Sequence, residues 1–227
     1  MDAVDEVLAW FGNPVNWLGA DGILIRLTEH FYFVGLSFAL AVSVAFPLGV
    51  LIANQKSAAQ IAMAVFNVGR ALPALGVIIL AIMVVGYDSS TVILALTLTS
   101  IPPILTNTIV GIAQVDSALT NAAAAMGMQR CQTFLQLELP MAFPTIFAGF
   151  RTALVQLVAT ATIAAYAGFG GLGRFLIDGL GRNDTTQIIA GAVVVSTVAI
   201  SCEWLSSRVE QIISRRLRPG ENLKQLA

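Results

Sequence analysis

DSALTNAAAAMGMQRCQTFLQLELPMAFP, residues Asp116 to Pro144, lies between long apolar segments and decides the fold. So placed, the stretch must sit in water or against another protein. Its first half, Ser117 to Met126, carries no charge, and Ala122 to Ala125 is a run of the strongest helix former. Asp116 or Ser117 can cap a helix start there. Gly127 can end the helix, because glycine alone enters the left-handed C′ conformation freely. A second short helix, about 129–137, is expected before Pro140 closes it. Taken alone, the alanine run reads as a generic helix chosen for propensity. A short, uncharged, small-faced helix in the cytosol makes better sense if it docks into a groove on a partner.

The spacing carries a second signal. Asn121-Ala122-Ala123, three residues, Gly127, nine residues, then Leu137-x-Leu139-Pro140 resembles the E-A-A-x3-G-x9-I-x-L-P loop of ABC importer permeases. The departures are Asn121 in place of glutamate and Leu137 in place of isoleucine. Further stretches resemble the betaine/choline osmoprotectant branch of that family: Pro103-Ile104-Leu105 with Asn107-Thr108 and Gly111-Ile112, Ala148-Gly149 with Arg151 to Gln156, Ala159 to Thr162, and Gly170 to Gly173. The resemblance implies an all-α membrane protein, a type I importer permease core of five transmembrane helices. It implies that the loop is a coupling helix seated on an ATPase, with Ser117, Asn121, Ala122, Ala123, Ala124, Gly127, Leu137, Leu139 and Pro140 in the coupling role. The implied partners are an ABC ATPase in two copies, a second permease and an extracytoplasmic substrate-binding protein. The second permease is an identical chain or a related one carrying the glutamate that Asn121 replaces.

Composition points the same way. The chain has 227 residues, 57% hydrophobic and 11% charged, where a soluble domain carries about 25% charged residues. It belongs in a lipid bilayer. A net charge of −1 gives no argument for nucleic acid. Cys131 and Cys202 are too few for a disulfide scaffold. The N-terminus is acidic (Asp2, Asp5, Glu6), unlike a secretory signal.

Taken in order, residues 1–30 form an external segment, with Val4, Val7, Leu8 and Phe11 on one face of a surface helix and a turn at Gly19–Gly22. Trp10 and Trp17 suit a membrane interface, and His30 reads as an interfacial residue rather than a metal ligand. Residues 31–206 form the membrane domain, with spans expected at 31–53, 61–86, 91–114, 143–167 and 185–204 and the coupling loop at 115–141. The second span contains Arg70 and Pro73, which should interrupt it. Pro102-Pro103 in the third frees carbonyls that neighbours or water must satisfy. Arg151 either snorkels to the interface or pairs within the bundle. Residues 168–184 read as a glycine-rich loop, and 207–227 as a basic tail.

With five spans the termini lie on opposite sides. An external N-terminus puts Lys56, Arg130, Arg208, Arg215, Arg216, Arg218 and Lys224 in the cytosol, against Arg26, Arg174 and Arg182 outside. The positive-inside rule prefers that choice, and it places the loop where an ATPase would be. The setting is a prokaryotic inner or plasma membrane, crossed several times.

Chemistry of its own is not expected of this chain. It has no G-x-x-x-x-G-K-[ST] phosphate loop, so ATP and magnesium belong on the partner ATPase and no cofactor is expected here. No catalytic or metal-binding set can be assembled. Gly168 to Gly173 fits G-x-G-x-x-G but lacks a βαβ context. It reads as a flexible external connection touching a binding protein, or as a tight turn. Pro73, Thr99, Pro102, Asn107, Gln156, Thr160 and Tyr166 are candidates to line a polar pathway, although Thr and Asn equally bridge packed helices. Tyr87 and Tyr166 are the aromatics that could meet a quaternary ammonium. The expected function is the permease subunit of an ATP-driven importer for osmoprotectants such as glycine betaine, choline, carnitine or proline. An amino-acid importer is the alternative within the class, and a secondary transporter or channel the alternative outside it.

Overall fold

The computed structural model describes residues 3–69 and 73–217, and no strand occurs among them. Helices α1 (Ala3–Gly12) and α2 (Val15–Leu18) lead into the long α3 (Ile23–Ile52). Next come α4 (Lys56–Gly69), α5 (Ala74–Val85) and α6 (Ser89–Ala113). The loop holds α7 (Ser117–Ala125), α8 (Arg130–Thr133) and a π-helical turn, Phe134–Glu138. Then follow α9 (Leu139–Ala161), a 3₁₀ turn at Thr162–Ala167, α10 (Gly173–Arg182) and α11 (Thr185–Leu217).

Among the described residues, four helical runs are long and apolar enough to cross a bilayer: Val15–Ile52, Ser89–Ala113, Arg130–Ala167 and Thr185–Ser214. The fifth apolar segment is the divided one. Pro73 has extended backbone (ψ 128°) and starts α5, which has 12 residues and so spans only about 18 Å. Arg70 lies outside the described residues.

Several helices outrun their expected limits. α3 begins at Ile23 rather than 31, because Arg26 is answered locally: its guanidinium pairs with Asp21 and lies 2.9 Å from Glu29. α10 fills most of the expected loop 168–184. α11 continues past 204 to Leu217, so the start of the expected tail is helix. The side chains of Arg215 and Arg216, with Arg218 and Lys224, lie outside the described residues. Nor does Pro140 close a helix. The π-helical turn, in which the Leu139 N–H reaches back to Phe134 O, brings Pro140, which has no N–H to donate, to the junction with α9, and the helix continues through it. The chain is therefore helical from Arg130 to Ala167 without a break.

Helix α6 is the core. Most of it is buried, whereas α3 wraps around it with Phe31, Leu36, Leu40, Val44 and Leu48 facing outward. A stripe of that kind would be a liability in water and is ordinary against lipid. Small residues let the helices close on one another. A methyl on Gly49 would lie 2.8 Å from Thr108 Cβ, and one on Gly149 would lie 2.8 Å from Pro103 O. Buried hydroxyls are spent on helix carbonyls: Ser37 donates to Ile93 O at 3.2 Å and Thr97 to the same oxygen at 2.7 Å.

Two N-terminal expectations change. In α1, Trp10 and Phe11 pack against the Ile23–Leu172–Phe175 cluster while Val4 and Leu8 face out. The apolar stripe read from spacing is split between the bundle and the exterior, since lipid accepts apolar side chains as readily as a core does. His30 is fully buried rather than interfacial, with Nε2 donating to Val158 O at 3.1 Å. The early start of α3 turns it inward against α9.

Candidate functional site

The loop between α6 and α9 is helical and capped at its turns. Asp116 caps α7 by accepting from the Ala118 N–H at 2.8 Å. At the other end the Gly127 N–H bonds Ala124 O at 3.0 Å and the Met128 N–H bonds Ala123 O at 3.1 Å. That paired closure is the Schellman pattern, and it requires the left-handed φ of +86° seen at Gly127. A capping box on Gln129 and Gln132 then starts α8.

Almost all of α7 faces outward: Ser117, Asn121, Ala122 and Ala124 are exposed, with Leu119 and, just beyond the helix, Met126. Ala123 is the exception. It is 2% exposed and faces the chain itself, so it anchors the helix. Val115, Phe134 and Leu139 pack on Ala53, Ile112, Ala142 and Ile146, seating the loop on the end of the bundle. Leu137 and Pro140 are half-buried beside them. The presented surface is therefore a small, uncharged helix on a firm base. It can dock but has no group that could carry out catalysis.

The candidate pathway residues do not form one cluster. Thr99 and Gln156 come together, Gln156 Nε2 donating to Thr99 O at 3.4 Å. Asn107 turns back to Pro103 O at 2.8 Å, where α9 passes at Gly149, and Thr160 is half-buried on α9. Pro102 is buried in the α6 core. Pro73 and Tyr166 are exposed, and no hydrogen bond joins either to the others among the described residues.

Some features were missed at the level of sequence. Arg151 pairs across helices with Glu203 (3.4 Å) and Glu210 (3.0 Å) of α11, which decides for pairing over snorkelling. The seven-residue spacing of the two acids, two helical turns, was the available signal. Glu138 is 3% exposed and bridges to Arg130 at 3.2 Å, and a lone acid between Leu137 and Leu139 could have been flagged. The glycine loop is packed rather than flexible: Gly168 and Gly171 have φ of +85° and +94°, and the Gly171 N–H bonds Glu29 at 2.8 Å. No strand stands beside it among the described residues, so the nucleotide fold its spacing mimics is absent.

A bundle of apolar helices around α6, with one uncharged helix held out on a capped loop, is the architecture of a multi-pass membrane protein. Residues 45–219 match the family model described as binding-protein-dependent transport system inner membrane component, and the chain belongs to that family. It is 36% identical over 226 residues to the carnitine transport permease OpuCD of Listeria monocytogenes, covering 99% of this chain and 97% of the relative. It is 31% identical over 230 residues to the choline transport system permease OpuBD of Bacillus subtilis, covering both chains fully. Among solved structures, the inward-facing MetNI methionine ABC transporter contains a chain that superposes with a TM-score of 0.74 at 22% identity, covering 89% of this chain and 99% of that one. That likeness shows the fold. The chain is thus a transport permease of the ABC importer class and not an enzyme.

Proposed function

We propose that this chain forms the translocation pathway of an ATP-driven importer for compact quaternary-ammonium osmoprotectants such as carnitine, choline and glycine betaine. The observation that carries the coupling role is α7: nine residues without charge, capped at both ends and exposed on nearly every side. Its partner is an ATPase that docks Ser117, Asn121, Ala122 and Ala124, two copies serving a pair of permeases. The substrate class is supported by the relatives named for carnitine and choline. A binding protein delivers the substrate at the α1–α3 end, and α7 and the end of α11 face the cytosol. Thr99, Asn107, Gln156 and Thr160 border the route.

The test is uptake by the complex reconstituted in vesicles with its ATPase and binding protein, using labelled choline, carnitine, betaine and methionine. ATP-dependent uptake of the quaternary ammonium compounds is expected. Uptake of methionine alone would reject the substrate class and leave the importer standing.

A further inference from the structure

At the end of the bundle away from α7, a recess of about 420 Å³ opens between α3 and the glycine loop, within the range of small-molecule sites. Tyr32, Phe33, Phe169, Gly170 and Glu29 border it. Its walls are joined aromatic rings. Tyr32 meets Phe33 edge-on with centroids 5.7 Å apart, Phe33 meets Phe169 at 6.5 Å, and Tyr87 stacks on Phe169 at 4.6 Å. Phe33 and Phe169 are held in the core while Tyr32 is 57% exposed, so a fixed wall faces one ring free to adjust.

The carboxylate at this recess is incompletely neutralised. Arg26 is shared between Asp21 and Glu29, two anions on one cation. Glu29 Oε2 takes both the guanidinium (2.9 Å) and the Gly171 N–H (2.8 Å), and Oε1 has no partner among the described residues. Arg182 lines a separate recess with Asp21 and does not border this one. The bare backbone at Gly170 is needed for the arrangement, since a methyl there would lie 2.2 Å from Glu29 Oε2 and displace the carboxylate.

Aromatic walls beside a carboxylate with one unbonded oxygen suit a cation that has no proton to donate. Such a cation is held by ring faces and by charge at a distance, without a hydrogen-bond partner. We propose that this recess is a receiving site for a quaternary ammonium group on the permease itself. Glu29 supplies the charge, and Tyr32, Phe33 and Phe169 the surface. The proposal rests on the import reading above for its ligand and adds a site that this reading does not require. The recess is open on one side rather than enclosed, so the site is weak and serves to retain the cation as it leaves the binding protein.

The test is binding of choline to the permease–ATPase complex in lipid nanodiscs without binding protein, against its neutral carbon isostere 3,3-dimethylbutan-1-ol. Choline should bind about tenfold more tightly than the isostere, the cation–π and charge contributions being absent from the latter. Tyr32→Leu and Glu29→Gln should each weaken choline binding at least about fivefold while the complex still assembles. Tyr32 is exposed, so its variant tests the site independently of any effect on folding. Equal binding of the isostere, no choline binding by the wild type, or unchanged binding by Tyr32→Leu would overturn the site. Uptake by the wild-type complex with its binding protein separates the two readings. Choline uptake without choline binding removes only the site, whereas absence of quaternary-ammonium uptake removes the substrate class.

Discussion

Gln156 on α9 places Nε2 3.4 Å from the carbonyl oxygen of Thr99 on α6, the carbonyl that Pro103 leaves without its intrahelical donor. Pro103 has no N–H, so the oxygen four residues earlier must be satisfied from outside the helix. Gln156→Leu keeps the bulk and removes the donor. Interhelical hydrogen bonds in membranes average about 0.6 kcal/mol and reach about 1.7. At this length the lower figure applies, so thermal unfolding in detergent should show a small loss of stability with the complex intact. A fall in uptake larger than that loss explains would assign Gln156 to the pathway. Unchanged stability and unchanged uptake would remove both roles.

Arg151 ties α9 to α11 through Glu203 and Glu210. Arg151→Met leaves the part-buried Glu210 and the exposed Glu203 without their cation and should destabilise. In a Glu203→Gln, Glu210→Gln background the same change should cost less, by about 1 kcal/mol, as expected for coupled neighbours. A double-mutant cycle on thermal unfolding measures this. Additivity would mean that the three side chains act independently.

Gly173 sits against the carbonyl of Thr162, which a methyl at Gly173 would meet at 2.0 Å. That oxygen is backbone and cannot swing aside. Gly173→Ala should therefore destabilise by at least about 1–3 kcal/mol, the usual cost of overpacking, and reduce the yield of folded permease. Gly181→Ala, where nothing lies within 4 Å, is the control and should express normally.

Cys131 is exposed on the loop and Cys202 half-buried in α11. With Cys202→Ser, an impermeant thiol reagent should label Cys131 in inside-out vesicles and not in right-side-out ones. The reverse pattern would invert the topology.

Local patterns made much of this legible. The apolar lengths, the caps at Asp116 and Gly127 and the start of α5 after Pro73 are local events, and a single chain displays them. Pairings between distant segments were not legible. Glu29 reaches Gly171 across 142 residues and His30 reaches Val158 across 128, and no local pattern announces such contacts. Charge also misled. The first span was started at 31, after the charged stretch that holds Arg26 and Glu29, and the last was ended at 204, before Glu210, yet these charges are answered by partners and the helices run on. Within the loop, spacing showed that Ala122 to Ala125 is helical but not which alanine faces inward. Only the packing singles out Ala123.

The coupling role of α7 is tested most directly by recovering the ATPase from detergent on Gly127→Val and Ala124→Trp permeases. Gly127 has open space around it and positive φ, so a side chain there costs roughly 1 kcal/mol in local strain and should spare insertion and dimer size. The end of α7 would tilt, misplacing contacts that can be worth about 2 kcal/mol each. Ala124→Trp adds bulk on the exposed face without touching the buried anchor at Ala123. Each variant should purify normally and bind the ATPase at least about tenfold more weakly, one decade per 1.4 kcal/mol, with uptake falling in step. Full ATPase recovery and full uptake in both variants would contradict the coupling role of this helix.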